Sequence, residues 1–255
     1  KSVSVQNDTQ TQSTSEGEQH LEMDFRKHVS SHPGATYATH QIHKHPAVFI
    51  PHIPRHIIET YTTQKNESGD RPLIYDPFSG SGTTGLEAKL LGRDYLGVEL
   101  NPFSKLVSDV KTTPIPPSLA HQAKQDLEKI LEDIGDEYFG DYDPDFLDTT
   151  NKDTWFEESA VNGLTQVRKS LDELEISNYD VLPLDDKNEN IVVNDLNIGE
   201  RELQDRLYCW LVLMIANTVF EVSNADPGVS KAYRSQKMKN LIEEGSHPPD
   251  PVRTF

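Results

Sequence analysis

The chain has 255 residues, a formal net charge of −18, 35% hydrophobic residues and one cysteine. That length holds one large domain or two small ones, and a single cysteine excludes a disulfide framework and points to a reducing interior. The longest apolar run, Leu207 to Ala216, is too short for a membrane span, so a soluble, cytoplasmic protein without a membrane partner is expected. The acidic residues are spread over nearly every predicted helix and loop. Two readings of that charge stand side by side: a chain that does not touch nucleic acid, whose binders usually carry a basic balance, or the acidic surface of a protein from a high-salt cell.

Residues 1–20 are Ser, Thr, Gln, Asp and Glu with almost nothing apolar, and a disordered tail is expected over residues 1–22. From Phe25 to Ile58 there is no Asp or Glu, while Arg26, Lys27, Lys44 and Arg55 appear beside His28, His32, His40, His43, His45, His52 and His56. A metal site built on His43-x-His45 with His40 or His52 is one reading, although no Cys or carboxylate joins them. Ordinary surface histidines are a second, and a patch facing phosphate is a third. Ile53, Ile57 and Ile58 are spaced as on a helix.

Leu73-Ile74-Tyr75 reads as a short buried parallel strand. The run Asp76-Pro77-Phe78-Ser79-Gly80-Ser81-Gly82-Thr83-Thr84 follows. Leu86, Leu90 and Leu91 then mark a helix from Thr83, and Gly92 stands where its C-terminal cap belongs. Tyr95 to Val98 forms a second strand ending on Glu99. Strand, glycine turn, helix, strand, acid is one half of a doubly wound nucleotide-binding sheet. Gly80-x-Gly82-x-x-Gly85 matches the dinucleotide fingerprint, with Glu99 about twenty residues on. However, Asp76 stands at the carboxyl end of the first strand, where it would repel a pyrophosphate. An acid there suits a ligand with an ammonium group, such as S-adenosylmethionine. Its carboxylate would go to the free N–H groups around Thr83 and Thr84, and its ribose hydroxyls to Glu99. No Lys follows the glycines, which excludes a P-loop.

Beyond Glu99, Pro102 opens a short helix through Val110, and the prolines of Thr113-Pro114-Ile115-Pro116-Pro117 end it. Leu127, Ile130, Leu131 and Ile134 define the apolar face of a helix from Leu119 to Ile134. Tyr138 to Asp153 is an acidic, aromatic loop, either a solvated tether or a base-stacking surface. Trp155-Phe156 starts a helix running to about Leu174. Ile191-Val192-Val193 is either a third strand, with Asp195 near an adenine, or a short extended connection. Glu200 to Val222 is the strongest predicted helix, apolar enough to be buried all round. Lys231, Arg234, Lys237 and Lys239 make a second basic stretch, a phosphate contact or a solvated face.

The run Asp-Pro-Phe-Ser-Gly-Ser-Gly-Thr-Thr, with Glu87-Ala88, Gly92-Arg93, Gly97-Val98-Glu99 and Asn101-Pro102, closely resembles the amino-specific DNA methyltransferases. That family methylates cytosine at N-4 or adenine at N-6. His43 to Ile58 resembles the segment that precedes the cofactor loop in many members and runs over the methionine end of the cofactor. The resemblance implies S-adenosylmethionine as cofactor and DNA as substrate, as in restriction–modification systems. It implies cofactor-binding roles for Phe49, Pro51, Asp76, Pro77, Phe78, Gly80, Gly82, Thr83, Thr84, Glu99 and Asn101. The fold it implies is α/β: a partial Rossmann-like methyltransferase sheet followed by a mainly helical region. Residues 23–112 would be the cofactor-binding part and residues 113–255 a helical insert or partial target-recognition region. The family's catalytic loop is Asp, Asn or Ser, then Pro-Pro, then an aromatic, and no such loop is found; His247-Pro248-Pro249-Asp250 lacks both flanking residues. A truncated or split enzyme is therefore expected, with a second polypeptide carrying the loop, and the catalytic residues are unknown. An RNA methyltransferase and a non-catalytic cofactor-binding or DNA-specificity module are the alternatives.

Overall fold

The computed structural model describes residues 10–13, 19–22, 37–45, 48–66, 68–135, 152–176, 179, 200–225 and 235–255. The acidic aromatic loop from Tyr138 to Asn151, the Ile191–Val193 segment with Asp195, the first two cations of the second basic stretch (Lys231, Arg234), and His28 and His32 lie outside these residues.

Strands β1 (Gln10–Ser13) and β2 (Gln19–Glu22) pair antiparallel. This differs from the disordered tail expected over residues 1–22. The scarcity of apolar residues there leaves little surface to bury, whereas a two-stranded ladder is closed by backbone groups alone. Helix α1 (His52–Tyr61) follows, then β3 (Leu73–Asp76), α2 (Thr83–Leu90), β4 (Asp94–Gly97) and α3 (Pro102–Thr112). The remaining elements are helices: α4 (Pro117–Ile134), α5 (Lys152–Trp155), α6 (Glu158–Glu173), α7 (Glu200–Val222), α8 (Gln236–Glu243) and α9 (Pro251–Thr254). The helix expected from Trp155 to Leu174 breaks between α5 and α6. Asn224 holds the break open: its N–H donates to Trp155 O at 2.7 Å and its Nδ2 to Glu157 Oε1 at 3.0 Å.

β3 and β4 are parallel, with Ile74 opposite Tyr95 and Asp76 opposite Gly97. Paired residues share a face. Tyr95 lies against α2, where a Cβ on Gly85 would come within 2.5 Å of its ring; close packing of helix on strand requires glycine there. The other face carries Leu73, Tyr75, Leu96 and Val98, each between 50% and 61% exposed. The expectation of a fully buried strand is thus met on one face only, because no layer covers the other among the described residues.

The core is helical, and α7 runs through it. Leu203, Leu207, Leu211 and Ile215 pack with Leu119, Ala123 and Leu127 of α4 and with Val167 and Leu171 of α6. Leu213 packs instead with Val107 and Val110 of α3. One helix therefore joins the glycine-turn unit to the helical region, with its buried leucines spread around the cylinder as the sequence suggested.

Candidate functional site

The turn after β3 is built by the β4 strand end. Val98 N–H donates to Asp76 O at 2.9 Å and Ser79 N–H to Val98 O at 3.0 Å, extending the ladder past the strands. Asp76 Oδ1 then accepts from Phe78 N–H at 3.0 Å, an Asx-type closure that explains an acid at this position. Gly80 and Gly82 have φ of +54° and +79°, a region that L side chains avoid. A Cβ on Gly82 would lie 2.4 Å from Ser108 Oγ, whereas on Gly80 it would meet nothing nearer than Phe78 O at 3.9 Å. Gly82 is thus pinned between α2 and α3, and Gly80 faces open space.

Glu99 closes the site. Its Oε2 accepts from Gly80 N–H at 2.9 Å and its Oε1 from Asn101 N–H at 2.7 Å. The Asn101 N–H first, with that of Gly80, holds the Glu99 carboxyl below the usual carboxylate range. Asn101 caps α3, its Oδ1 accepting from Phe103 N–H at 2.9 Å and Ser104 N–H at 3.2 Å. Among the described residues the N–H groups of Ser81, Thr83 and Thr84 have no acceptor, as expected where a helix begins. Thr83 is buried, and among the described residues its Oγ1 has no partner. Phe78 stands 87% exposed beside Asp76. Behind the turn lies a polar layer: Tyr95 Oη donates to Ser79 Oγ at 2.7 Å, and Lys111 Nζ to Ser81 Oγ at 3.1 Å.

The approach segment is fixed to this unit by a buried acid that the sequence reading did not single out for a role. Glu87, fully buried on α2, accepts from Tyr37 Oη at 2.5 Å and Arg55 Nη1 at 2.9 Å, and its Oε1 lies 2.6 Å from His40 Nε2. Burial pushes its carboxyl up, but His40, Tyr37 and Arg55 outweigh that and hold it lowered. The same environment raises Tyr37, through burial first and then Glu87. His43 Nδ1 lies 2.5 Å from Asn217 Oδ1 of α7, and His45 Nε2 lies 3.0 Å from Ser104 Oγ. These histidines of the acid-free segment fasten it to the fold. Among the described residues no cluster of His, Cys, Asp or Glu could hold a metal ion, and no helix is long and apolar enough to cross a membrane.

The turn brings together Asp76, Pro77, Phe78, Gly80, Gly82, Thr83, Thr84, Glu99 and Asn101 within one strand–helix–strand unit. Pro51 is buried at the head of α1 and Phe49 is exposed ahead of it. Neither is hydrogen-bonded to the turn among the described residues.

Fold and site together define a mixed α/β protein, mainly helical, with a glycine turn between parallel strands closed by an acid. A family model described as DNA methylase matches residues 2–108, the part of the chain that carries the glycine turn and Glu99. Among curated proteins it is similar to the Type II methyltransferase M.MvaI of Kocuria varians, 35% identical over 217 residues, covering 81% of this chain and 40% of that protein. It is 32% identical over 114 residues to the Type II methyltransferase M.MjaII of Methanocaldococcus jannaschii, covering 45% of this chain and 19% of the relative. The Type II methyltransferase M2.MboI of Moraxella bovis is 40% identical over 73 residues, covering 29% of this chain and 25% of the relative. The chain thus spans less than half the length of these relatives. No solved structure matches it significantly.

Proposed function

We propose that this chain carries the cofactor site of a DNA methyltransferase that moves a methyl group from S-adenosylmethionine to the exocyclic amine of cytosine or adenine. The observation that carries the reading is the turn itself, with an acid at the end of β3, an open glycine, the start of α2 and Glu99 at the end of β4. The residues fit the cofactor. Gly80 leaves its outer side free for close approach, and the unpartnered Thr83 hydroxyl supplies a donor at the helix start. Asp76 would take the ammonium group. Glu99 holds the turn with one lone pair on each oxygen and keeps the others for the ribose hydroxyls. Phe78 and Phe49 would offer apolar faces beside it. When bound, S-adenosylmethionine supplies a methyl group on a positively charged sulfur. The chain's share is to orient that donor; residues that would hold the target base are not assigned.

The two parallel strands fit a larger, Rossmann-like sheet. Parallel strands are buried on both faces, and the exposed row Leu73, Tyr75, Leu96 and Val98 is the surface that further layers of such a sheet would cover.

The test is calorimetric titration of the chain with S-adenosylmethionine and with NAD in concentrated potassium chloride. Binding of the first alone is expected, and NAD binding would overturn the assignment. Asp76→Ala should abolish S-adenosylmethionine binding. Glu99→Ala should weaken it about ten- to hundredfold, the range for hydrogen bonds to a charged acceptor. Radiolabelled methyl transfer to genomic DNA then reads out the activity.

A further inference from the structure

Lys111 occupies the last turn of α3 and is only 2% exposed. Its Nζ donates to Ser81 Oγ, immediately behind the glycine turn, and among the described residues this is its one hydrogen bond. No carboxylate pairs with it there. Glu87, reached by the same approach segment, is already engaged by Tyr37, His40 and Arg55. Burying an ammonium group without a counter-ion is costly, and desolvation pulls Lys111 down to about 8. An aliphatic side chain would fill the position without that cost, so packing does not account for a lysine here.

A second observation concerns the same turn. Thr83 is 4% exposed, and among the described residues its Oγ1 has no hydrogen-bond partner. The N–H groups of Ser81, Thr83 and Thr84 also lack acceptors among the described residues. Along this turn Ser81 Oγ takes the ammonium group, while among the described residues the Thr83 hydroxyl and three amide donors have no acceptor. That donor set matches an anion with several lone pairs on adjacent oxygens, which describes a carboxylate.

We infer that Lys111 is the counter-charge for a carboxylate held at the glycine turn, acting through Ser81 as a positioning residue. The inference rests on the proposed cofactor reading, in which the carboxylate belongs to the methionine part of S-adenosylmethionine.

The experiment titrates the full chain with S-adenosylmethionine and with its decarboxylated analogue, which keeps the sulfonium and ammonium groups. The proteins are the wild type, Lys111→Met and Lys111→Gln. Lys111→Met should lose about tenfold or more in affinity for S-adenosylmethionine, as for a charge-assisted contact, and stay within about twofold for the analogue. Lys111→Gln keeps a donor for Ser81 without the charge and should behave as Lys111→Met does. Equal losses for both ligands, unchanged affinities, or full rescue by Gln would each overturn the role of Lys111 while leaving the cofactor reading intact. A wild type that binds neither ligand would overturn both.

Discussion

The three glycines of the turn share one fingerprint and have three different jobs. Gly80 needs a left-handed backbone and faces open space. Gly82 needs the same backbone and is wedged against Ser108, while Gly85 lies against the Tyr95 ring. Gly82→Ala should therefore cost about 2–4 kcal/mol, from the backbone strain and the collision together. Gly80→Ala should cost only about 1 kcal/mol, the left-handed penalty alone, and weaken cofactor binding instead. Denaturant melts with parallel ligand titrations separate the two; equal stability losses would refute this division. The fingerprint and Glu99 were legible in the sequence because spacing alone encodes a strand–turn–helix. The division of labour was not, since it depends on α3, which is distant in sequence. The same limit explains Leu90, which helical spacing placed on the buried face and which is exposed, while Glu87 is buried on that helix. Periodicity assumes that charge faces water, and Glu87 escapes the rule through three partners.

Glu87 ties the approach segment and α1 to α2. Removing it would leave Arg55, His40 and Tyr37 without their shared acceptor, so Glu87→Ala should destabilise the chain by about 3–5 kcal/mol. A fall in melting temperature small enough to match an exposed Glu→Ala would contradict this. The pH dependence follows from the sign of the shift. Glu87 is lowered in the folded state, so its contribution is complete above the ordinary carboxylate range and is lost as pH falls through it and below. The stability gap between wild type and Glu87→Gln should close accordingly on acidification. Lys111 runs the other way. Its folded value is depressed to about 8 from the ordinary lysine value of 10.5, so between these values the unfolded chain binds more protons and stability rises with pH. Melting of Lys111→Met alongside wild type from about pH 7.5 to 9.5, below the range where tyrosines ionise, should show a steeper rise in the wild type than in the variant, since buried Lys89, also lowered, contributes to both. Of the acid-free segment, the sequence made the absence of Asp and Glu plain. It did not reveal that His40, His43 and His45 tie the segment to the fold, since their partners Glu87, Asn217 and Ser104 lie on three separate helices.

The whole chain carries a net charge of −18, and at low ionic strength that charge repels itself. Screening shortens the reach of the repulsion from about 10 Å at 0.1 M salt to about 3 Å at 1 M. The thermal midpoint should therefore climb by several degrees between about 0.1 and 2 M potassium chloride, a salt chosen over sulfate to limit exclusion effects. A flat curve would remove the case for an acidic surface adapted to salt. At this scale the sequence read the helical region well, because α4 and α7 have long, clean apolar patterns. It read the first residues poorly, because backbone pairing of β1 with β2 leaves no apolar signature. The break between α5 and α6 was equally hidden, set by Asn224 some seventy residues beyond it.

Trp210 sits on α7 where that helix passes from one core to the other, and its ring packs against both clusters. The chain has two tryptophans, the other being Trp155. In a Trp155→Phe background the emission of a single indole would come from the seam between the turn-bearing unit and the helical region. Ligand capture at the turn could then be followed by fluorescence without a label, and a stopped-flow trace would time how quickly occupancy at one end is felt at the other.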